Sequence, residues 1–92
     1  MLHGFIEQRL REAVSAVLPG VKAELIQVRP CPDAKFGDYQ ANSLIALARE
    51  SRLNPRQLAA EVVAKLNVGE WCEKTEIAGP GFINFRLKTE AV

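Results

Sequence analysis

The sequence predicts an α+β domain, with a small, mostly antiparallel sheet of about three to four strands packed against three helices. Its helical and extended segments follow the order α, β, loop, α, α, β, β, which lacks the strict alternation of a doubly wound sheet. Three segments carry apolar residues at helical spacing, and two extended runs flank a Gly-Pro-Gly turn near the C-terminus. The 92 residues are expected to form a single domain, 1–92, with one small core.

Three amphipathic segments predict the helices. The first covers residues 2–18 and ends before a Pro-Gly pair, which stops a helix. The second covers residues 40–52, with Asp38 as its N-cap. The third covers residues 55–66 and has the clearest start, because Asn54 stands at the N-cap and a proline follows at the first helical position.

The region between the first two helices is predicted as a strand followed by an ordered loop. Residues 23–28 contain apolar side chains that favour a strand. Residues 29–38 contain two prolines and a glycine, which prevent regular structure. Because Phe36 and Tyr39 flank the end of this loop, we expect both rings to pin it to the core.

A C-terminal hairpin is predicted from the extended runs 71–78 and 82–87. Side chains alternate between the two faces of a strand, so the last run divides into two sets. The apolar set is the predicted core face: Ile83, Phe85 and Leu87. The other set is predicted to face away from the helices: Phe82, Asn84 and Arg86.

The outward-facing set has the chemistry to contact a nucleotide. An aromatic ring stacks on a base, an amide reads a base edge, and an arginine binds phosphate. The alternative is that Phe82 folds back against the turn, while Asn84 and Arg86 are ordinary surface residues. The residue pattern by itself favours this second, structural interpretation.

Two further segments have a functional and a structural interpretation. The glycines of the turn 79–81 either let a ligand approach closely or supply positive φ angles for the chain reversal, and the structural role is favoured. The segment 35–42 either touches a partner through Lys35, Tyr39 and Gln40 or forms the entry to the second helix.

Composition excludes several classes of protein. A 48% hydrophobic content excludes a disordered tail, no run approaches the roughly 18 apolar residues of a membrane span, and a net charge of +1 excludes a basic nucleic-acid arm. The single histidine, His3, and the distant Cys31 and Cys72 offer neither a zinc ligand set nor a catalytic base. We therefore predict no catalytic, cofactor-binding or metal-binding residue. Because no secretory signal opens the chain, we expect a cytoplasmic protein with reduced cysteines.

Three motifs in order give the chain a family resemblance. They are KFGDYQAN (35–42), NPRQLAAEVVAKL (54–66) and EIAGPGFINFRL (76–87). Together they resemble the N-terminal additional domain of arginyl-tRNA synthetases, in which F-G-D-Y/F, an Asn-Pro-initiated helix and A-G-P-G-F/Y-I/L-N follow one another at similar spacing. The match extends over essentially the whole chain.

The resemblance implies a non-catalytic α+β domain that binds the elbow of arginine tRNA and reads a D-loop nucleotide. The family's aromatic and asparagine contacts correspond to Phe82 and Asn84, the residues that strand alternation already places outward. The complete set of tRNA-binding residues that we predict is Phe82, Asn84, Gly81, Arg86, Tyr39, Gln40 and Asn42.

The resemblance also implies partners outside this chain. The chain lacks the HIGH-like and KMSKS-like signatures of class I synthetases, so we expect the catalytic domain to follow Val92 in the full-length enzyme. ATP with magnesium is expected to bind to that part, and neither a membrane nor DNA is an expected partner. The rival hypothesis is a structural module that braces a neighbouring domain. A contiguous apolar patch around Phe82 would favour the brace, whereas an open face with arginines would favour RNA.

Overall fold

The computed structural model describes residues 2–88, which form three helices and a four-stranded antiparallel sheet. In chain order, the elements are α1 (Leu2–Val17), a 3-10 helix (Ala23–Leu25), β1 (Arg29–Pro30), β2 (Tyr39–Ala41), α2 (Ser43–Glu50), α3 (Pro55–Lys65), β3 (Cys72–Ala78) and β4 (Phe82–Leu87). The strand order is β1-β2-β4-β3, so β4 lies between β2 and β3. The predicted α+β class is confirmed, and the predicted domain boundaries, Met1 and Val92, lie outside the described residues.

The core lies between the helices and one face of the sheet. Each helix buries one apolar stripe there. The buried members are Ile6, Leu10, Ala13 and Val14 of α1, Leu44, Leu47 and Ala48 of α2, and Leu58, Ala59 and Val62 of α3. From the sheet, Ile83 and Phe85 enter the same core and are fully buried. The largest of the fully buried side chains are Phe85, Ile6, Leu10, Ile26, Leu44, Leu58 and Ile83.

Local sequence signals correctly predicted the end of α1 and the start of α3. Helix α1 ends at Val17, and Gly20 takes a φ of +91°, as a Pro-Gly stop requires. At the start of α3, Asn54 Oδ1 accepts a hydrogen bond from the backbone N–H of Gln57 at 3.0 Å. The predicted N-cap is therefore confirmed.

The strand predicted over 23–28 is wrong. Ala23–Leu25 form a short 3-10 helix, and the ladder begins only at Arg29. Helix α1 satisfies the backbone of this segment instead, since Arg11 Nε donates to one of its carbonyl oxygens at 3.1 Å and Glu7 Oε2 accepts from the N–H of Val28 at 2.9 Å. Side chains of α1 thus make backbone hydrogen bonds that a neighbouring strand would make if this segment were a strand.

The helix predicted over 40–52 begins too early. Tyr39–Ala41 form strand β2, and α2 covers only Ser43–Glu50. The N-cap of α2 is Asn42, whose side chain makes no capping hydrogen bond. The helical spacing is real, but strand pairing with β4 determines the conformation of the first two residues of the predicted helix.

Asp38 is therefore not a helix cap, and it joins β4 to the loop instead. Its backbone N–H donates to Phe85 O at 2.8 Å, and its Oδ2 accepts from the N–H of Leu87 at 2.8 Å. Its carbonyl oxygen accepts from the N–H of Cys31 at 3.0 Å. The carboxylate thus continues the β2–β4 ladder by one further hydrogen bond.

The irregular loop is shorter than the predicted 29–38, because Arg29–Pro30 form strand β1, and Phe36 does not pin it. The ring of Phe36 is 54% exposed, whereas Tyr39 packs against the core. Gly37 makes the close contact, because a Cβ atom at this position would lie 3.0 Å from Phe85 O. Its φ of +150° also disfavours an L side chain.

Both cysteines are free thiols. Cys31 is half-buried in the loop, and Cys72 is buried at the start of β3. Burial, with a smaller contribution from the charge of Asp38, raises the pKa of the Cys72 thiol from 9.0 to about 11. The helices within residues 2–88 lack the length and apolar character that a membrane-spanning helix needs.

We expect iodoacetamide at pH 8 to alkylate Cys31 and to spare Cys72 while the protein is folded, because Cys72 is both buried and protonated. Mass spectrometry after timed quenching measures the two rates. The raised pKa also makes the free energy of unfolding depend on pH. Below about pH 9 the Cys72 thiol is protonated in both the folded and the unfolded chain, and stability falls as the pH rises from about 9 through about 11, because the thiol ionises first in the unfolded chain. Equal alkylation rates at the two sites would contradict the burial of Cys72.

The change Phe85→Ala should lower the free energy of unfolding by about 3–5 kcal/mol, because it removes a fully buried ring from the core. The matched control is Phe36→Ala, which removes an exposed ring and should change stability by about 0.5 kcal/mol or less. Urea denaturation followed by circular dichroism compares the two. A Phe85→Ala variant as stable as its control would place the core on the other face of β4.

Candidate functional site

The face of the sheet turned away from the helices, called the outer face here, carries mainly polar side chains. Paired residues of antiparallel strands point to the same side, so the register identifies its members. Gln40 of β2 pairs with Arg29 of β1 and with Asn84 of β4, and Asn84 pairs in turn with Glu76 of β3. These four residues form one row across all four strands, the polar row.

Asn84 lies at the centre of the polar row and is more covered than the sequence predicted. It belongs to the outer face, as alternation requires, but it is only 5% exposed. Gln40 Nε2 donates to Asn84 Oδ1 at 2.9 Å, and Phe82 and Arg86 flank it along the strand. The amide is therefore held in place, and little of it reaches the surface.

Phe82 opens strand β4 beside the hairpin turn and is half-buried. Its ring lies against Gly79, because a Cβ atom at position 79 would be 3.3 Å from Phe82 Cδ2. One part of the ring thus folds back on the turn, as the structural interpretation expected. The exposed remainder is available for stacking on the outer face.

The turn that carries Phe82 is fastened to the start of α3. Gly81 has a φ of +142°, and a Cβ atom there would lie 3.0 Å from Pro55 Cβ and 3.1 Å from Pro55 O. A guanidinium N–H of Arg56 donates to Gly79 O. The close approach that Gly81 permits is therefore to α3, and this supports the structural interpretation of the turn.

Cationic groups surround the other end of the outer face. A guanidinium N–H of Arg86 donates to Lys35 O at 2.8 Å, which brings the loop to this end of β4. The ammonium of Lys35 lies 5.6 Å from the centroid of the exposed Phe36 ring. On β3, Lys74 pairs with Arg86 in the ladder, and its ammonium lies 3.2 Å from a carboxylate oxygen of Glu76.

The structure separates two of the predicted site residues from this group. Tyr39 lies on the core side of the sheet, where its ring centroid is 5.9 Å from that of His3. Asn42 is exposed at the start of α2. Gln40, Phe82, Asn84 and Arg86 share the outer face, and Gly81 shapes the turn at its edge.

Sequence reasoning missed three members of the outer face that lie on strands other than β4. Arg29 was assigned to an irregular loop, and Lys74 and Glu76 were not predicted as site residues. Their two-residue spacing within a predicted strand was the available signal, since residues two apart share a face. Residues 2–88 contain no cluster of three or more His, Cys, Asp or Glu side chains that could hold a metal ion.

These features define an α+β domain in which helices cover one face of a four-stranded antiparallel sheet, and the other face presents an aromatic ring, an amide row and cations. Residues 4–87 match the family model for the arginyl tRNA synthetase N terminal domain. The chain belongs to this family, as the three motifs indicated.

Individual relatives agree with this assignment. The chain is 49% identical to the arginine–tRNA ligase of Thermosynechococcus vestitus over 82 residues, which are 89% of this chain and 14% of the relative. It is 42% identical to the arginine–tRNA ligase of Chromobacterium violaceum over 89 residues, which are 97% of this chain and 15% of the relative. The chain thus spans only about one seventh of the length of these relatives.

Solved structures share the fold. Arginyl-tRNA synthetase of Thermus thermophilus superposes with a TM-score of 0.83 and 34% sequence identity, covering 99% of this chain and 15% of that protein. Arginyl-tRNA synthetase of Plasmodium falciparum gives the same TM-score at 20% identity, covering 96% of this chain and 16% of that protein, so it supports the fold alone.

Replacing Gly81 by alanine should destabilise the domain by about 1–3 kcal/mol, because the new Cβ atom meets the Pro55 backbone and the φ of +142° is strained for alanine. Gly69→Ala is the matched control, since its Cβ atom would meet nothing within 4 Å. Thermal unfolding of the two variants makes the comparison. Equal stability of the two would show that the turn is not packed against α3.

Proposed function

We propose that this chain is a tRNA-binding domain of an arginyl-tRNA synthetase, and that its outer face recognises the D-loop of arginine tRNA. The observation that carries the proposal is the placement of Phe82 and Asn84, two residues apart on the one sheet face that the helices leave uncovered. A D-loop nucleotide is a suitable ligand for such a face, because unstacked bases of RNA loops bind to aromatic rings and amides.

Phe82 and Asn84 have different roles in the proposal. The exposed part of the Phe82 ring stacks on the base, an interaction worth roughly 1–3 kcal/mol by alanine substitution. The Asn84 amide hydrogen-bonds to the base edge and discriminates between bases. The hairpin turn, fixed on α3, supports the ring at a constant distance from the amide.

The cations of the outer face supply phosphate contacts. Arg86 is the predicted contact, and Lys35, Arg29 and Lys74 lie on or beside the same face. The net charge of the chain is only +1, so few phosphates are neutralised. We expect the isolated chain to bind tRNA with a dissociation constant on the order of 10⁻⁴ M or weaker, and with strong salt dependence.

The remainder of the proposed synthetase completes the function. Tethering to a catalytic domain in the same polypeptide raises the effective concentration of this weak site next to bound tRNA. Arginine activation, with ATP and magnesium, belongs to that other part, and we place the complete enzyme in the cytoplasm. Neither DNA nor a membrane is a proposed partner of the outer face.

The outer face argues against the rival hypothesis of a purely structural brace. A contiguous apolar patch around Phe82 would favour that hypothesis, but Arg86 and Lys74 lie on the same face, and the amides of Asn84 and Gln40 occupy its centre. An uncovered face with basic groups favours RNA over an apolar protein contact.

In the full-length synthetase, Phe82→Ala and Asn84→Ala should each lower kcat/KM for arginine tRNA about tenfold or more, because each removes a contact to the D-loop nucleotide. The fold should survive both changes, since neither side chain belongs to the apolar core. Phe5→Ala removes an exposed ring from the helix layer and is the matched control, with an expected kcat/KM close to wild type. Normal charging by both outer-face variants would refute D-loop recognition.

A titration of the isolated chain locates the surface. Addition of an unmodified arginine tRNA transcript at low salt should shift amide resonances of residues 81–86 and 39–42, and a non-cognate tRNA should shift them less. The NMR spectra report each backbone amide separately. Shifts spread evenly over all lysines and arginines would mean that the chain has no RNA site of its own.

A further inference from the structure

The polar row has a charge at each end and two amides between them. Arg29 stands at the β1 end, Glu76 stands at the β3 end, and Gln40 and Asn84 lie between them in register. Directly paired side chains in an antiparallel sheet have Cβ atoms about 4.5–5.5 Å apart, so neighbouring members lie close together. Both end charges also have other partners, because the Lys74 ammonium lies 3.2 Å from a Glu76 carboxylate oxygen and a guanidinium N–H of Arg29 donates to Gln27 Oε1 at 2.5 Å. The row therefore runs from a cation through two dipoles to an anion.

The order of charges agrees with the orientation of both amides, although Lys74 offsets the charge of Glu76, so the hydrogen bond from Gln40 is the main orienting contact. A carbonyl oxygen is favoured on the side of Arg29, and an amide nitrogen is favoured on the side of Glu76. The observed hydrogen bond has this polarity, because the nitrogen of Gln40 donates to the oxygen of Asn84. The carbonyl oxygen of Asn84 is thus turned towards β2, and its nitrogen is turned away from β2.

The nitrogen of Asn84 is also the part of the amide that reaches the surface. Within residues 2–88, Asn84 Nδ2 donates to no side-chain or backbone acceptor. No polar side-chain atom in this part of the chain is both buried and unpaired. The small exposed fraction of Asn84 therefore includes Nδ2, which remains free to donate to a ligand.

We propose that Gln40 is a positioning residue, which fixes the Asn84 amide so that it presents a hydrogen-bond donor to the bound RNA base. The ligand class that follows is a base with an acceptor atom, a ring nitrogen or a carbonyl oxygen, at the contacted edge. The proposal rests on the proposed recognition of the D-loop by Asn84. It adds that the base preference depends on a side chain 44 positions away in the sequence, which need not touch the RNA.

Two substitutions at position 40 distinguish the effect of the Gln40 donor on the Asn84 amide from the effect of side-chain shape. Gln40→Met keeps the length of the side chain and removes the donor, so the Asn84 amide loses its fixed orientation. Gln40→Glu keeps the shape and replaces the donor by an acceptor. The introduced carboxylate accepts from Asn84 Nδ2, and the Asn84 amide turns over to present its oxygen to the RNA.

The measurement is kcat/KM of the full-length synthetase for a panel of arginine tRNA transcripts. In this panel, each D-loop nucleotide is replaced in turn by each of the other three bases. The contacted nucleotide is the D-loop position at which Asn84→Ala makes kcat/KM nearly equal for all four bases. At that position, Gln40→Met should reduce the preference ratio by about tenfold, and Gln40→Glu should change which base is preferred.

A matched control removes the effect of added charge. Gln8→Glu places the same negative charge on α1, in the helix layer, and should keep the wild-type preference. The preference is a ratio between transcripts, so uniform repulsion of RNA by a new carboxylate cancels from it. Thermal unfolding of each variant shows that the compared enzymes are folded.

The outcomes distinguish the two proposals. If Asn84→Ala flattens the preference while both changes at Gln40 leave it intact, the positioning role is wrong and D-loop recognition stands. A uniform loss of kcat/KM over the whole panel in Gln40→Met would show that Gln40 only supports the sheet, and this also overturns the positioning role. If Asn84→Ala changes no preference at any D-loop nucleotide, both proposals fail.

Discussion

The pairing of β4 with both of its neighbours is the constraint on which the rest of the structure depends. This one strand supplies Phe85 to the core and Asn84 to the outer face, so its register decides the location of both. A slip by one residue would exchange the two faces and place an amide among apolar side chains. Stability and the candidate site are therefore set by the same ladder of hydrogen bonds.

The loop before β2 secures this register from one side. Asp38 connects the loop with β4 through its N–H and its carboxylate, and its carbonyl oxygen accepts from Cys31 within the loop. Gly37 approaches Phe85 O more closely than a side chain would allow. The Gly-Asp pair of the KFGDYQAN motif is thus explained by strand pairing. On the other side, the Gly79–Gly81 turn meets the start of α3, so the second motif and the third motif contact each other.

Local sequence signals were sufficient to predict α1, α3 and the hairpin, because the caps, turns and periodicity of these elements lie within a few residues of one another. Strand β2 was missed since its partner, β4, lies more than 40 positions away and the helical spacing of the next segment extends into it. Alternation predicted which face Asn84 occupies. It could not predict that Asn84 is nearly covered, because that depends on residues of other strands, and the exposure of Phe36 was likewise set by tertiary contacts.

A nearly covered amide is consistent with a site that contributes more to specificity than to affinity. The hydrogen bond from Gln40 to Asn84 is formed before any ligand arrives, so little side-chain entropy remains to be lost on binding. The same coverage limits the contact area, and a net charge of +1 limits the phosphate contribution. Under the proposed function, a domain of this kind discriminates well only when another part of the same polypeptide holds the RNA nearby. The proposal therefore agrees with a fixed amide on a chain that spans about one seventh of the length of its relatives.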